Sequence, residues 1–171
     1  TAVGRDALFT QTTGTQNVAI GTSAMYYTTT GSQNTAVGTN ALDANTTAGT
    51  NVAVGFQAMM DNTTGANNTA LGYLALGNNT TAAGNSAVGY KALEDCTTGH
   101  SNAASGAYAL FNLTDADYNT SHGYGAGSQV TTGGANVYIG YQSAAHGVNT
   151  TTGSENTLVG SYTDTTAADT S

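Results

Sequence analysis

The residues that could do chemistry in this chain are few and scattered. Asp115 and Asp117 form an Asp-x-Asp pair, which in a turn could supply oxygen ligands to calcium. A single pair without the Gly-Gly-x-Gly-x-Asp pattern of calcium-binding β-rolls is a weak indication, so a solvated corner is the simpler interpretation. The neighbouring carboxylates of Glu94 and Asp95 are expected to face outward. We therefore predict no metal and no cofactor.

The histidines and the cysteine do not form a reactive group either. His100, His122 and His146 fall at different positions of the repeat described below, so they do not line up as metal ligands. Cys96 is the only cysteine, which excludes an intrachain disulfide. A reactive thiol needs a nearby base or cation, so Cys96 is interpreted as a tolerated turn substitution. Because no Ser/His/Asp order, phosphate loop or catalytic carboxylate pair repeats or converges, we predict that the protein is not an enzyme.

The elements that would position any such residue are copies of one unit of 17 residues, such as 34–50. Self-similarity at a fixed period is the signature of a repeat architecture. Copies start at Asn17, Asn34, Asn51, Asn68, Asn85, Asn102, Asn119 and Asn136, and after one block of 20 residues at Asn156. The fifth position is Gly in every copy: Gly4, Gly21, Gly38, Gly55, Gly72, Gly89, Gly106, Gly123, Gly140 and Gly160.

The repeat divides the chain into a solenoid region, residues 1–160, and an irregular end or linker, residues 161–171. Because Thr1 stands at the second repeat position, we expect a segment of a longer array or a processed product. The three extra residues of the last full block predict a bulged corner around 146–149.

The pattern weakens toward the C-terminal end of the solenoid region. Ser105 and His122 replace the apolar residue of position four, and Gly127 and Ala144 replace the Leu of position nine.

Each copy carries two short apolar sites. Positions two to five alternate, as in Thr35-Ala36-Val37-Gly38, and a period of two indicates a strand. Its bulky face would carry the residue of position four, and its flat Ala/Gly face could admit another backbone. Positions eight and nine, as in Ala41-Leu42, form either a second strand or one helical turn. Thr-Thr-Gly or Thr-Thr-Ala at positions 13 to 15 is typical of a turn.

One copy cannot bury its apolar sites alone, but stacked copies can, because each Val then lies on a Val and each Leu on a Leu. The predicted fold class is therefore all-β: a parallel β-solenoid of about ten 17-residue coils. At a strand spacing of ~4.8 Å the rod would be roughly 45–50 Å long. The Asn of position one would stack into a ladder, or occupy a corner with positive φ, and the two interpretations are compatible.

Charge and hydropathy exclude two classes of partner. The net charge is −8, and only Arg5 and Lys91 are basic, so nucleic acid and anionic membrane surfaces are unsuitable partners. No apolar run approaches the ~20 residues of a membrane span, so we expect no membrane insertion.

Two further sets of residues recur at fixed repeat positions. Aromatic rings occupy position six in Phe56, Tyr73, Tyr90, Tyr124 and Tyr141. They could stack on sugar rings or lie in a subunit contact, although covering the corner is the simplest role. Asn-x-Thr/Ser sequons, acceptors in a glycosylating host but also the plain corner sequence, begin at Asn45, Asn62, Asn79, Asn112, Asn119 and Asn149.

The repeat motif resembles two families of fibrous proteins. Asn-Thr-Ala-Val-Gly at 34–38, with variants at 17–21 and 85–89, resembles the Asn-Ser-x-Ala-Ile-Gly motif of trimeric autotransporter adhesin (YadA-like) heads. The full unit, as in 72–81, is more similar to tandem repeats in phage-type tail-fibre shafts. The resemblance covers roughly residues 1–160, although the adhesin repeats are shorter. It implies left-handed parallel β-rolls, usually three chains around an axis, in rods that bind hosts or surfaces.

We therefore predict a non-enzymatic structural or adhesive fibre segment of an extracellular, cell-surface or virion appendage. A thin rod with open coil ends is expected to self-associate, either around an axis, with three chains by resemblance, or end to end into a filament. A surface glycan or receptor would be a further partner.

Two alternatives are kept. The first is an ice-binding solenoid with regular Thr-Thr ranks, although adjacent strand residues point to opposite faces. The second is a solenoid domain that binds or degrades polysaccharide, although no carboxylate or basic cluster converges.

Overall fold

The computed structural model describes residues 1–145 and 151–163, and this part of the chain is a parallel β-solenoid without helices. The described residues form one sheet of ten parallel strands in which each strand pairs with the next along the chain. The predicted fold class is confirmed. The strands are β1 (Ala2–Val3), β2 (Val18–Ile20), β3 (Thr35–Val37), β4 (Val52–Val54), β5 (Thr69–Leu71), β6 (Ser86–Val88), β7 (Ala103–Ser105), β8 (Thr120–His122), β9 (Val137–Ile139) and β10 (Thr157–Val159).

The register of the sheet advances by one repeat per coil. Val37 pairs with Val54, Val54 with Leu71, and Leu71 with Val88, so the residues of one repeat position form a vertical rank. Between β9 and β10 the offset is 20 residues, since Val137 pairs with Thr157. The corner expected around 146–149 lies within residues 146–150, which are outside the described residues.

The interior of the coil is narrow, and this decides which side of each strand is buried. Ala36, Ala53 and their equivalents at position three point inward and are fully buried, opposite the buried Leu42 and Met59 of position nine. The side chains of position four point outward. The expectation that the bulky strand residue is buried is therefore wrong: an interior already filled by Leu or Met leaves room for only a methyl group on the facing strand.

Positions eight and nine form neither a strand nor a helical turn, the two structures proposed for them from the sequence. Asn40 and Leu42, at positions seven and nine, have φ of 55°, a left-handed conformation that no strand or right-handed helical turn adopts. The strain of such conformations persists only where surrounding structure enforces it. Here hydrogen bonds to both adjoining coils do so: Asn40 N–H donates to Thr22 O, and Leu42 N–H donates to Ala58 O, each at 3.0 Å.

The Asn of position one forms a buried ladder rather than a positive-φ corner. Asn51 N–H donates to Asn34 Oδ1 at 2.9 Å, and Asn51 Nδ2 donates to Gly65 O at 2.9 Å. Asn51 Oδ1 in turn accepts the N–H of Asn68. Each side chain thus satisfies backbone groups of two coils in an interior where unpaired polar groups are costly.

Candidate functional surface

The outward residues of the ten described strands form one exposed band, which we call the sheet face. It consists of positions two and four, and strand sequences such as Val52-Ala53-Val54 contain no Asp, Glu, Lys or Arg. Leu71 is 47% exposed and Val88 37% exposed. The large apolar side chains exposed on this band are Val3, Ile20, Val52, Leu71, Val88, Ile139 and Val159.

The aromatic residues of position six stack on one another beside the sheet face, and we call this rank the aromatic stripe. Phe56 and Tyr73 are parallel within 8° at a centroid distance of 5.4 Å, and Tyr73 and Tyr90 within 7° at 5.1 Å. In such a stack the face of each ring is covered by its neighbour, so mainly the edges of the rings contact solvent. This geometry does not favour the stacking of sugars along the stripe.

Both members of the Asp-x-Asp pair accept hydrogen bonds, Asp117 from the preceding coil and Asp115 from its neighbour in the chain. Asp117 Oδ1 accepts the backbone N–H of His100 at 2.6 Å, and Asp115 Oδ1 accepts the hydroxyl of Thr114 at 3.2 Å. With Glu155 they line an open depression of about 380 Å³. Within residues 1–145 and 151–163, no three His, Cys, Asp or Glu side chains are placed to hold a metal ion.

The other polar candidates are separated from one another. His100 Nδ1 accepts the N–H of Ala83 at 3.0 Å, His122 lies on the sheet face, and His146 lies outside the described residues. Glu94 pairs with the Lys91 ammonium at 3.0 Å. The pKa of Lys91 is raised, mainly by its hydrogen bond to Glu94. The Lys91 ammonium is therefore paired with the Glu94 carboxylate.

Asp95 likewise serves a contact between coils rather than facing solvent alone. Its Oδ1 accepts a hydrogen bond from Asn78 Nδ2 in the preceding coil at 2.9 Å.

Position 12 holds a second internal ladder that the sequence interpretation missed. Asn45, Asn62 and Asn79 are fully buried, and Asn79 Nδ2 donates to Asn62 Oδ1 at 2.7 Å. The sequons at these positions are therefore inaccessible to glycosylation in the folded chain, and buried Asn119 is inaccessible too. The identical Asn at three successive copies, the same signal as at position one, could have indicated this ladder.

Cys96 ends the second ladder inside the core rather than in a turn. It is fully buried, and its Sγ lies 3.4 Å from Gly99 O. Burial raises the pKa of the thiol to about 12, which leaves it protonated and unreactive at neutral pH. Asn79 Oδ1 consequently has no hydrogen-bond partner among the described residues.

One structural finding and three comparisons with known proteins bear on the class of the protein. Among the described residues, no helix is long and apolar enough to cross a membrane. Searches against protein-family models, curated proteins and solved structures find no match to this chain.

Proposed function

We propose that this chain is a segment of a non-enzymatic structural or adhesive fibre in an extracellular, cell-surface or virion appendage, and that its copies associate side by side through the sheet face. The observation that carries the proposal is the sheet face, which has no Asp, Glu, Lys or Arg on any described strand and exposes apolar side chains on both sides of an interruption at Ser105 and His122. Contiguous exposed apolar patches above a few hundred Å² are typical of interaction sites.

The size of the band suits a modest interface. Together with the adjoining aromatic stripe, the sheet face spans about 13 Å from position two to position six, and strands ~4.8 Å apart give a surface of roughly 600 Å² over the described rod. Two copies would bury about 1,200 Å² in total, the lower end of the range for stable complexes. Three copies around one axis, the arrangement that the resemblance implies, would share the same band.

The distribution of charge supports this face rather than another. The net charge of −8 comes from side chains outside the described strands, for example Asp43 and Asp61 at the corners after the strand. Copies meeting through the sheet face would keep these carboxylates at the rim in water, where salt screens their repulsion. Association should therefore strengthen with ionic strength.

The experiment is sedimentation velocity at micromolar concentration on two matched triple variants. Val54→Glu/Leu71→Glu/Val88→Glu places three charges on the sheet face without touching the core. Thr64→Glu/Thr81→Glu/Thr98→Glu places the same charges at the exposed position 14. We expect an oligomer for wild type and for the threonine variant, and a folded monomer for the sheet-face variant. A monomeric wild type, or a sheet-face variant that still associates, contradicts the proposal.

Ice binding is a second candidate, favoured by the regularity of the same face. The outward pairs, such as Thr35 with Val37, recur along the rod at the strand spacing of ~4.8 Å and lie about 7 Å apart within a strand. The Thr-Thr ranks are less suitable, because the Thr46 hydroxyl donates to Thr63 O of the next coil at 3.2 Å. If this face binds ice, the wild-type protein and the threonine variant should show thermal hysteresis, and the sheet-face variant should not. Its absence in wild type removes this candidate.

A further inference from the structure

The aromatic stripe is interrupted at one coil. Position six of that coil is Ala107, and the aromatic ring moves to Tyr108 at position seven. The Tyr108 ring stands at 66° to Tyr90 and at 73° to Tyr124, with centroids 5.2 and 5.8 Å apart. It also stands at 73° to Phe111 at 5.7 Å. The rings of the stripe stack in parallel, but none of these three neighbours stacks flat on the face of the Tyr108 ring.

Small residues in the next coil open a cavity beside these rings. Where this coil has Tyr108 and Phe111, the next coil has Gly125 and Ser128. The cavity has a volume of about 280 Å³, and Tyr108, Phe111, Tyr124, Gly125 and Ser128 line it. Its size suits one ring of a larger ligand rather than a whole drug-sized molecule.

The polar groups of the cavity are uncharged and partly unpaired. Gln129 and Gln142 also line it, and the Ser128 hydroxyl and the Gln129 amide have no hydrogen-bond partner among the described residues. The Lys91 ammonium, 5.7 Å from the centroid of the Phe111 ring, is paired with Glu94. The cavity thus offers aromatic rings, amides and a hydroxyl, with no free charge among its lining residues.

We propose that this cavity binds one neutral sugar ring of a glycan. A pyranose has an apolar C–H face that packs on an aromatic ring, and its rim of hydroxyls can bond amides and a serine. An anion or cation would find no counter-charge here, and a wholly apolar ligand would cover the amides without bonding them. A site this small and open should bind one ring with a Kd of about 1 mM.

The site can be tested apart from the proposed association, because Val54, Leu71 and Val88 of the sheet-face variant do not line the cavity, and Gly125 lies outside the strands. Sugar binding and sedimentation behaviour can therefore fail separately.

The decisive variant is Gly125→Leu, which should fill the cavity and leave the fold unchanged. Gly125 has φ of 63°, and Leu74 occupies the same repeat position with φ of 53°. A Cβ on Gly125 would meet no atom closer than 3.4 Å, the distance to Gln142 Cγ. The matched control is Gln57→Leu, the same new side chain at the same repeat position in a coil whose stripe is unbroken.

The probes are the methyl glycosides of glucose, galactose, mannose and N-acetylglucosamine, tested separately at millimolar concentration by saturation-transfer NMR. We expect transfer from wild type and from Gln57→Leu to at least one of them, and binding at least about tenfold weaker in Gly125→Leu. No transfer to any probe, or unchanged transfer in Gly125→Leu, overturns the proposal.

Melting curves establish that the variants are folded, and sedimentation of Gly125→Leu should match that of wild type. If Gly125→Leu does not fold, Gln129→Ala decides the outcome, because this side chain is exposed and outside the core. It should weaken binding of the same sugar several-fold, and undiminished binding overturns the proposal.

Discussion

The ring of Tyr138 fills the space left inside the coil at Gly127. A Cβ added to Gly127 would lie 2.7 Å from Cδ2 of Tyr138 and 2.8 Å from Cδ2 of Leu110. Elsewhere position three is mostly a small Ala and position nine a Leu or Met. Here the large and small residues are exchanged between adjacent coils, so the weakened repeat keeps a filled core.

This exchange predicts strong coupling between the two positions. Tyr138→Ala leaves a cavity and should destabilise the protein by about 3 kcal/mol, and Gly127→Leu alone should cost about 1–3 kcal/mol through overpacking. The double variant restores the usual Ala and Leu, so its cost should be at least about 1 kcal/mol below the sum. Chemical denaturation of all four proteins measures the cycle, and strictly additive costs would show that the residues do not compensate each other.

The hydroxyl of Tyr138 should reduce stability. It is buried without a hydrogen-bond partner among the described residues, and desolvation raises the pKa of Tyr138 to about 12. Since an unpaired buried hydroxyl costs about 1–3 kcal/mol, Tyr138→Phe should raise the free energy of unfolding by about 1 kcal/mol. Tyr108→Phe, which changes a half-buried ring, is the control. A less stable Tyr138→Phe variant contradicts this assignment.

The position-one ladder predicts a large effect for a small polar change. Asn51→Ala removes the acceptor of the Asn68 N–H and the donor to Gly65 O. Leaving buried backbone groups unpaired should cost about 2–3 kcal/mol. Thr64→Ala, at an exposed side chain of the same coil, should cost less than about 0.5 kcal/mol. Thermal unfolding of both variants tests this, and similar losses would mean that the ladder adds no stability.

The Gly of position five is constrained in two ways at once. Gly72 has φ of 144°, and a Cβ there would collide with the carbonyl oxygen of Gly89 in the next coil. Gly72→Val should therefore cost several kcal/mol from strain and overpacking together, about 1–3 from each. The damage should stay in the adjoining coils, because repeats contact only their neighbours. Hydrogen exchange locates it.

Thr39→Val is the control for that variant, since position six is exposed and already varies among copies. Thr39→Val should hardly change the melting temperature. Equal melting temperatures for Gly72→Val and Thr39→Val would refute the backbone explanation.

Burial of Cys96 predicts a loss of stability at alkaline pH. The folded-state pKa of about 12 lies above the ordinary thiol pKa of 9.0, so folding favours the protonated thiol. Its stabilisation is complete below pH 9 and is lost as pH rises toward 12, by at most about 1.4 kcal/mol per pH unit.

Comparing the unfolding free energies of wild type and Cys96→Ala between pH 9 and 12 isolates this effect from tyrosine titration. The unfolding free energy of Cys96→Ala should fall less steeply with pH than that of wild type. Parallel curves, or rapid alkylation of folded wild type at neutral pH, would show that the thiol is accessible.

Much of the architecture could be predicted from the sequence, because in a repeat array each residue packs against copies of itself. The constant spacing from Asn34 to Asn51 and from Gly38 to Gly55 determined the coil length, the parallel pairing and the vertical ranks. The close approach at the Gly was predictable for the same reason, since only a residue without Cβ recurs there.

The tertiary structure alone decided which strand face is buried. Alternation separates Ala36 from Val37 but does not say which of them points inward. Which face is buried depends on how the coil closes. It closes through residues in the left-handed conformation, such as Leu42 and Thr50, whose residue types do not indicate a turn. The sequence also did not predict the exchange of large and small residues between Tyr138 and Gly127, or the cavity beside Tyr108. They join side chains of different coils, and that contact exists only after the coils stack.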